Sequence, residues 1–160
     1  MAGSGKKNSN SKQGAPTLLN SRARRQYEVV ETIEAGIQLL GTEVKSLRDG
    51  NGSIGEAYAR FRRGELWLLG AHIDEYGHKG YAGHDPVRPR KLLLKRRELI
   101  QLQQTVQRKG LTLVPMKLYW GPRSLAKVEL ALARGRKLHD KRQAEKSRDA
   151  QRDMERARKR

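Results

Sequence analysis

The chain has 160 residues, 35 Lys or Arg against 17 Asp or Glu, a net charge of +18, and no cysteine. That length fits one domain with extensions, and the missing thiols exclude a disulfide framework or a thiolate metal site. No apolar run approaches the ~18 residues of a spanning helix and the start "MAGSGKKNSNSKQGAPT" is unlike a signal peptide, so the cytoplasm is the expected compartment.

The excess charge is distributed as +3 over residues 1–20, +9 over 21–134 and +6 over 135–160. A polyanionic partner follows. Nucleic acid is favoured over a membrane because no strongly amphipathic helix offers an apolar face to lipid.

In chain order, residues 1–17 are rich in Gly, Ser, Asn and Lys and read as a disordered basic arm. The segment 18–134 carries the apolar patterning of a folded body. Two strands are expected at about Tyr27–Ile33 and Gly36–Leu40, then a short helix with Thr42 as a possible N-cap, stopped at Gly50 or Gly52. Arg63-Gly64 between two alternating segments predicts a hairpin. The glycine-rich stretch "EYGHKGYAGHDPVRPR" reads as a loop containing His78 and His84, followed by a helix over about Leu92–Lys109 with Gly110 as its C′ residue. "LTLVPMKLYW" and "SLAKVELALA" close the body as two strands. On the second, Val128, Leu130 and Leu132 alternate with Lys127, Glu129 and Ala131. The fold class is mainly β with helices: an OB-like closed antiparallel β-barrel of about six strands with two or three helices. A two-layer α+β sandwich is the alternative.

Residues 137–160 hold ten Lys or Arg, five Asp or Glu and one His, with Leu138 and Met154 as the large apolar side chains. Such a segment cannot form a core of its own. Yet Glu145, Asp149 and Asp153 each have an arginine three residues ahead, at 148, 152 and 156, a pattern that allows a helix at about 0.2 to 0.5 kcal/mol per pair. A tail that is disordered when free and helical on demand is the expectation.

"GSGK" at Gly3–Lys6 lacks the full phosphate-loop spacing and a preceding strand. His72, His78, His84 and His139 lack metal-ligand spacing, so no metal and no other cofactor is expected. Catalysis is disfavoured; Asp74, Glu75, His84 and Asp85 are the nuclease-like candidates. The basic clusters carry more weight. "SRARRQY" places Arg22, Arg24 and Arg25 before the first strand, and "RPRKLLLKRRE" places Arg88, Arg90, Lys91, Lys95, Arg96 and Arg97 about a helix start, a ready phosphate site. With aromatic residues at 5%, a broad base-stacking platform is poorly supplied, and recognition of a structured RNA by shape fits better.

"NSRARRQYEVVETIEAGIQLLGTEVKSLRDG", "HDPVRPRKLLLKRREL", "KGLTLVPMKLYW" and "ARGRKLHDKR" together resemble the SsrA-binding protein (small protein B) family, in order from about Asn20 to Arg142. The resemblance implies an OB-like barrel without catalytic activity. It implies a monomer that binds the tRNA-like domain of transfer-messenger RNA, replaces the missing anticodon arm, and enters bacterial ribosomes stalled on an mRNA lacking a stop codon. By matching motifs, Asn20, Glu34 and Leu93 correspond to residues associated with that RNA, and Arg22, Arg24, Arg25, Lys91, Lys95 and Arg96 accompany them. Asn20 and Glu34 can hydrogen-bond base edges or 2′-hydroxyls and Leu93 can pack on a base or sugar. Alternatively, Asn20 caps a turn, Glu34 pairs with a local cation and Leu93 is core. "GRKLHDKR" matches the segment acting at the small-subunit decoding centre. There Gly135 lets the chain leave the barrel, Lys137 adds charge, His139 stacks on a ribosomal base, Asp140 orients its neighbours, and Lys141 and Arg142 meet phosphates. The remaining tail is implied to become helical in the empty mRNA channel. The competing readings are a resident ribosomal or assembly protein and a small nuclease.

Overall fold

The computed structural model describes residues 15–77, 83–136 and 138–159, without the side chains of residues 138–141 and 144. The expected arm (all but its last residues), His78, Lys137 and the side chains of His139, Asp140 and Lys141 lie outside the described residues.

The elements are β1 (Leu18–Leu19), α1 (Ser21–Gln26), β2 (Tyr27–Ile37), α2 (Gly41–Arg48), β3 (Gly52–Ser53), β4 (Tyr58–Arg62), β5 (Glu65–Leu69), β6 (His72–Ile73), β7 (Arg90–Leu93), α3 (Arg96–Lys109), β8 (Thr112–Trp120), β9 (Ala126–Gly135) and α4 (Leu138–Arg158). Pairing runs β8-β4-β5-β7-β2-β9 and returns to β8, a closed antiparallel ring of six strands, with β1 flanking β8 and a separate β3–β6 pair. Alternation fills the ring: Leu66, Leu68, Leu92, Leu118, Val128 and Leu130 are buried, while Lys127 and Glu129 face outward.

The hairpin at Arg63-Gly64 forms as expected, with both residues at positive φ (50° and 74°), the twist that suits a two-residue connection. Gly110 ends α3 in the left-handed conformation. The short helix starts at Gly41 with Leu40, not Thr42, at its N-cap, since the Thr42 hydroxyl is taken by His84 at 2.9 Å, and the described residues form four α-helices rather than two or three. Two further expectations are corrected. Tyr27–Ile37 is one continuous strand rather than two, since the bulge that re-aims it falls at Val30, where register with β9 shifts between Val29 and Glu31. The helix expected from Leu92 begins at Arg96, because Arg90–Leu93 is recruited as a strand between β5 and β2.

Beneath α2 lies a buried ion network. Glu43 is fully buried and accepts from the Leu40 N–H (3.0 Å), from Arg88 at 2.9 Å on each oxygen, and from Arg90 Nε at 3.1 Å. Arg90, also fully buried, donates from Nη1 to the Ala71 carbonyl (2.8 Å) and from Nη2 to the Pro86 carbonyl (3.1 Å). Burial pushes the Glu43 carboxyl up, but the Arg88 and Leu40 hydrogen bonds and both guanidinium charges outweigh it and hold the group below its usual range. Arg88 and Arg90 therefore leave the expected phosphate-facing cluster, since their guanidinium groups close the core.

Candidate nucleic-acid interface

Three groups of the expected site residues separate in space. The first surrounds α1. Pro115 interrupts the β8 ladder, register with β9 shifts between Pro115 and Lys117, and this bulge frees two carbonyls. Asn20 takes both, its backbone N–H donating to Met116 O (2.9 Å) and its Nδ2 to Pro115 O (2.9 Å). Nδ2 also donates to Ile54 O (3.1 Å), and Oδ1 caps α1 by accepting from the Ala23 N–H (3.1 Å). At 2% exposure, with both amide hydrogens committed, Asn20 has no donor left for a base edge. Its position instead fixes α1, which shows Arg24 and Arg25 to solvent in its last turn, while Arg22 pairs with Glu56.

The second group shares a groove of about 770 Å³ between β2 and α3. Before Gly36, β2 is parted from β7, and α3 lies across the gap. Glu34 from β2, Leu93 from β7 and Lys95 at the α3 N-terminus all line it, joined by Lys127, Glu98 and Gln101. Leu93 is 48% exposed, so it is not core, and a Cβ added at Gly36 would lie 3.3 Å from its own Cβ. Glu98 accepts from the Lys95 N–H (3.2 Å), which leaves Lys95 and Arg96 exposed on the first turn. Lys91 stands apart on β7, paired with Glu65 at 3.0 Å.

On the outer face of β2, β9 and β8, Glu34 opposes Glu129, while Lys127 opposes Tyr119 and Lys117 opposes Glu129. Lys117 pairs with Glu129 (3.0 Å), Lys127 pairs with Glu34 (3.3 Å), and the Tyr119 hydroxyl donates to Glu34. The bonds from Tyr119 and Lys127 hold the Glu34 carboxyl below its usual range. Burial, reinforced by the Glu34 carboxylate, pushes the Tyr119 phenol up to about 12. Sequence reasoning missed Tyr119 and Lys127 as site residues, although alternation in "MKLYW" and "AKVEL" already placed both on the outward face.

The third group is the C-terminal extension. Gly135 still pairs with Tyr27, so the chain leaves the ring one residue later. There the Arg136 N–H donates to Gln26 O (3.0 Å) and its Nε to Tyr27 O (3.2 Å). The helix α4 touches α1 where Arg148 donates to the Arg24 carbonyl at 3.0 Å. Arg142 is exposed on it, as is Met154.

His84 is not in an open loop. It is buried, with Nδ1 2.9 Å from Thr42 Oγ1 and Nε2 3.0 Å from Ile73 O. Both ring nitrogens are committed, which removes it from the nuclease-like set. Asp74 is held by His72 at 3.0 Å. Among the described residues no three His, Asp or Glu converge as a metal site, and no helix is long and apolar enough to cross a membrane.

The SmpB protein family model matches residues 17–160. The chain is 52% identical over 137 residues to the SsrA-binding protein of Chelativorans sp. (strain BNC1), spanning 86% of this chain and 88% of that one. It is 53% identical over 137 residues to the SsrA-binding protein of Sphingopyxis alaskensis, spanning 86% and 85%. A solved structure of tmRNA-SmpB and the bacterial ribosome contains a chain similar to it, with a TM-score of 0.66 and 52% identity over 81% of this chain and 94% of that one. On that extent of agreement, the chain belongs to the SmpB family.

Proposed function

We propose that this chain is the RNA-binding factor of trans-translation: it binds the tRNA-like domain of transfer-messenger RNA, delivers it to stalled ribosomes and takes the place of the anticodon arm. The observation that carries this reading, beside family membership, is the groove. Glu34 from one part of the sequence and the neighbouring Leu93 and Lys95 from another come together there where β2 parts from β7. Such a groove offers an apolar floor, a fixed carboxylate and cations, the mixture that suits splayed nucleotides of a folded RNA. The six-stranded ring acts as an OB-like barrel and monomer, with Arg24, Arg25, Lys91, Lys95 and Arg96 supplying phosphate contacts around it. Asn20 serves by holding α1.

The extension acts separately. Among the described residues, Glu145, Asp149 and Asp153 make no ion pair, and α4 meets the body chiefly at Arg148. A helix with so little packing is marginal in water. On the ribosome it becomes fully ordered, with Lys137, His139, Asp140, Lys141 and Arg142 at the decoding centre and the remainder lying in a vacant mRNA channel, where ribosomal phosphates supply what the body does not.

Deleting residues 137–160 tests this division. Affinity for the tRNA-like RNA domain stays near that of the full chain, while tagging on stalled ribosomes is lost. A truncation that instead abolishes RNA affinity sinks the reading.

A further inference from the structure

Glu34 presents an electrostatic puzzle. A carboxylate on a face that meets RNA repels phosphate, yet this one is 54% exposed and held in its charged form. Both of its oxygens are engaged within the protein, Oε2 by the Tyr119 hydroxyl and Oε1 by Lys127 Nζ. Tyr119 lies on β8 and Glu34 on β2, with β9 between them. Two strand spacings amount to roughly 10 Å, so the tyrosine leans across β9 to reach its partner instead of standing upright on the sheet. On the intervening strand Lys127 faces Gly36, which carries no side chain. Lys117 Nζ sits over one face of the ring, 5.1 Å from its centroid, so a base stacking there takes the place of a flexible exposed cation, and the ring's tethers Glu34 and Lys127 both line the groove.

We propose that Tyr119 is a stacking position for one unpaired nucleobase of the bound RNA, and that Glu34 is a positioning residue that holds the Tyr119 ring and the Lys127 ammonium for it. The inference rests on the RNA-binding reading above and adds to it the chemistry of one contact. A base has a π-face whatever its identity, so the position contributes affinity for an unstacked nucleotide without reading its edge. The cations on either side meet the flanking phosphates. Scarcity of aromatic residues argues against a broad platform but leaves room for a single ring.

The test uses the full chain and a tRNA-like domain RNA carrying 2-aminopurine at its unpaired positions in turn. The parent protein quenches the probe at one position, Y119F keeps the quenching, and Y119L loses it together with about tenfold in affinity. E34Q and Y119F each weaken binding a few-fold, and the double variant is no weaker than the poorer single, as expected for residues acting as one unit. Parent-like affinity and quenching in Y119L overturn the stacking position. Additive losses in the double variant overturn the positioning role, leaving Glu34 as a direct contact. Should Y119L fail to fold by circular dichroism, photo-crosslinking of the parent to RNA carrying 4-thiouridine at unpaired positions decides: a crosslink on Tyr119 is expected, and crosslinks confined to other peptides overturn the proposal. Failure of the parent protein itself to bind the RNA is a different outcome, which sinks the functional reading.

Discussion

Glu43 and Glu34 stand nine positions apart, both are ionised by two cationic or hydroxylic partners, and both sit below the usual carboxylate range. Glu43 is sealed under α2 between Arg88 and Arg90, while Glu34 lies open on the face of the sheet. Exposure separates their work. A carboxylate without water must be matched by its neighbours or the fold fails, whereas one in water adds little to stability and can be spent on orienting groups that face a partner.

The largest expected effect is on the buried side of that contrast. E43Q leaves Arg90 buried without a full counter-charge, and urea unfolding registers a loss of about 3–5 kcal/mol. N20A follows, at about 1–3 kcal/mol, because it removes the α1 cap and strands the Ile54 and Pro115 carbonyls. RNA affinity falls with it as α1 frays, and restoring the salt concentration to a low value recovers part of that loss.

A smaller effect appears against pH. Both carboxyls have folded values below their unfolded one, so their contribution is complete above the ordinary range near 4.3 and is lost as pH falls through the depressed values. Thermal midpoints recorded down the acid limb should flatten strongly in E43Q and scarcely in E34Q; equal flattening breaks the contrast. The smallest effect belongs to Tyr119. Its phenol is raised, so its contribution is complete below about 10 and fades as pH climbs toward 12. An ultraviolet-difference titration should show the Tyr119 phenol titrating at about 12, and E34Q should lower it only part of the way, since burial is the larger cause.

What the sequence showed of this fold was local. The Arg63-Gly64 hairpin, the Gly110 stop and the alternation in β8 and β9 each follow from a few adjacent residues. Arg88 and Arg90 misled because the acid that buries them is more than forty positions earlier, and nothing in "RPRK" reveals it. "KLLLKRREL" suits helix and strand equally until β5 and β2 supply a place for Leu92. Asn20 was legible as important and illegible in role, since its bonds run to Ile54 and Pro115. His84 joined a glycine-rich loop on composition, although Thr42 and Ile73 had already claimed it in space. Of the interface, Glu34, Leu93 and Lys95 were named from their motifs, while Tyr119 needed three strands in register to be seen.

The ring is sewn unevenly. Long ladders join β2 to β9 and β9 to β8, whereas β7 meets β2 at Gly36 and Ile37, and β4 meets β8 at Ala59. Local opening costs least where few backbone bonds must break. Amides along the β2–β9 and β8–β9 ladders should therefore exchange with solvent last, and those at the two short seams first. One of those seams borders the groove. The walls of the proposed RNA-binding groove can thus yield while the long ladders keep their register, so accommodation of an irregular nucleic-acid surface need not disturb the rest of the fold.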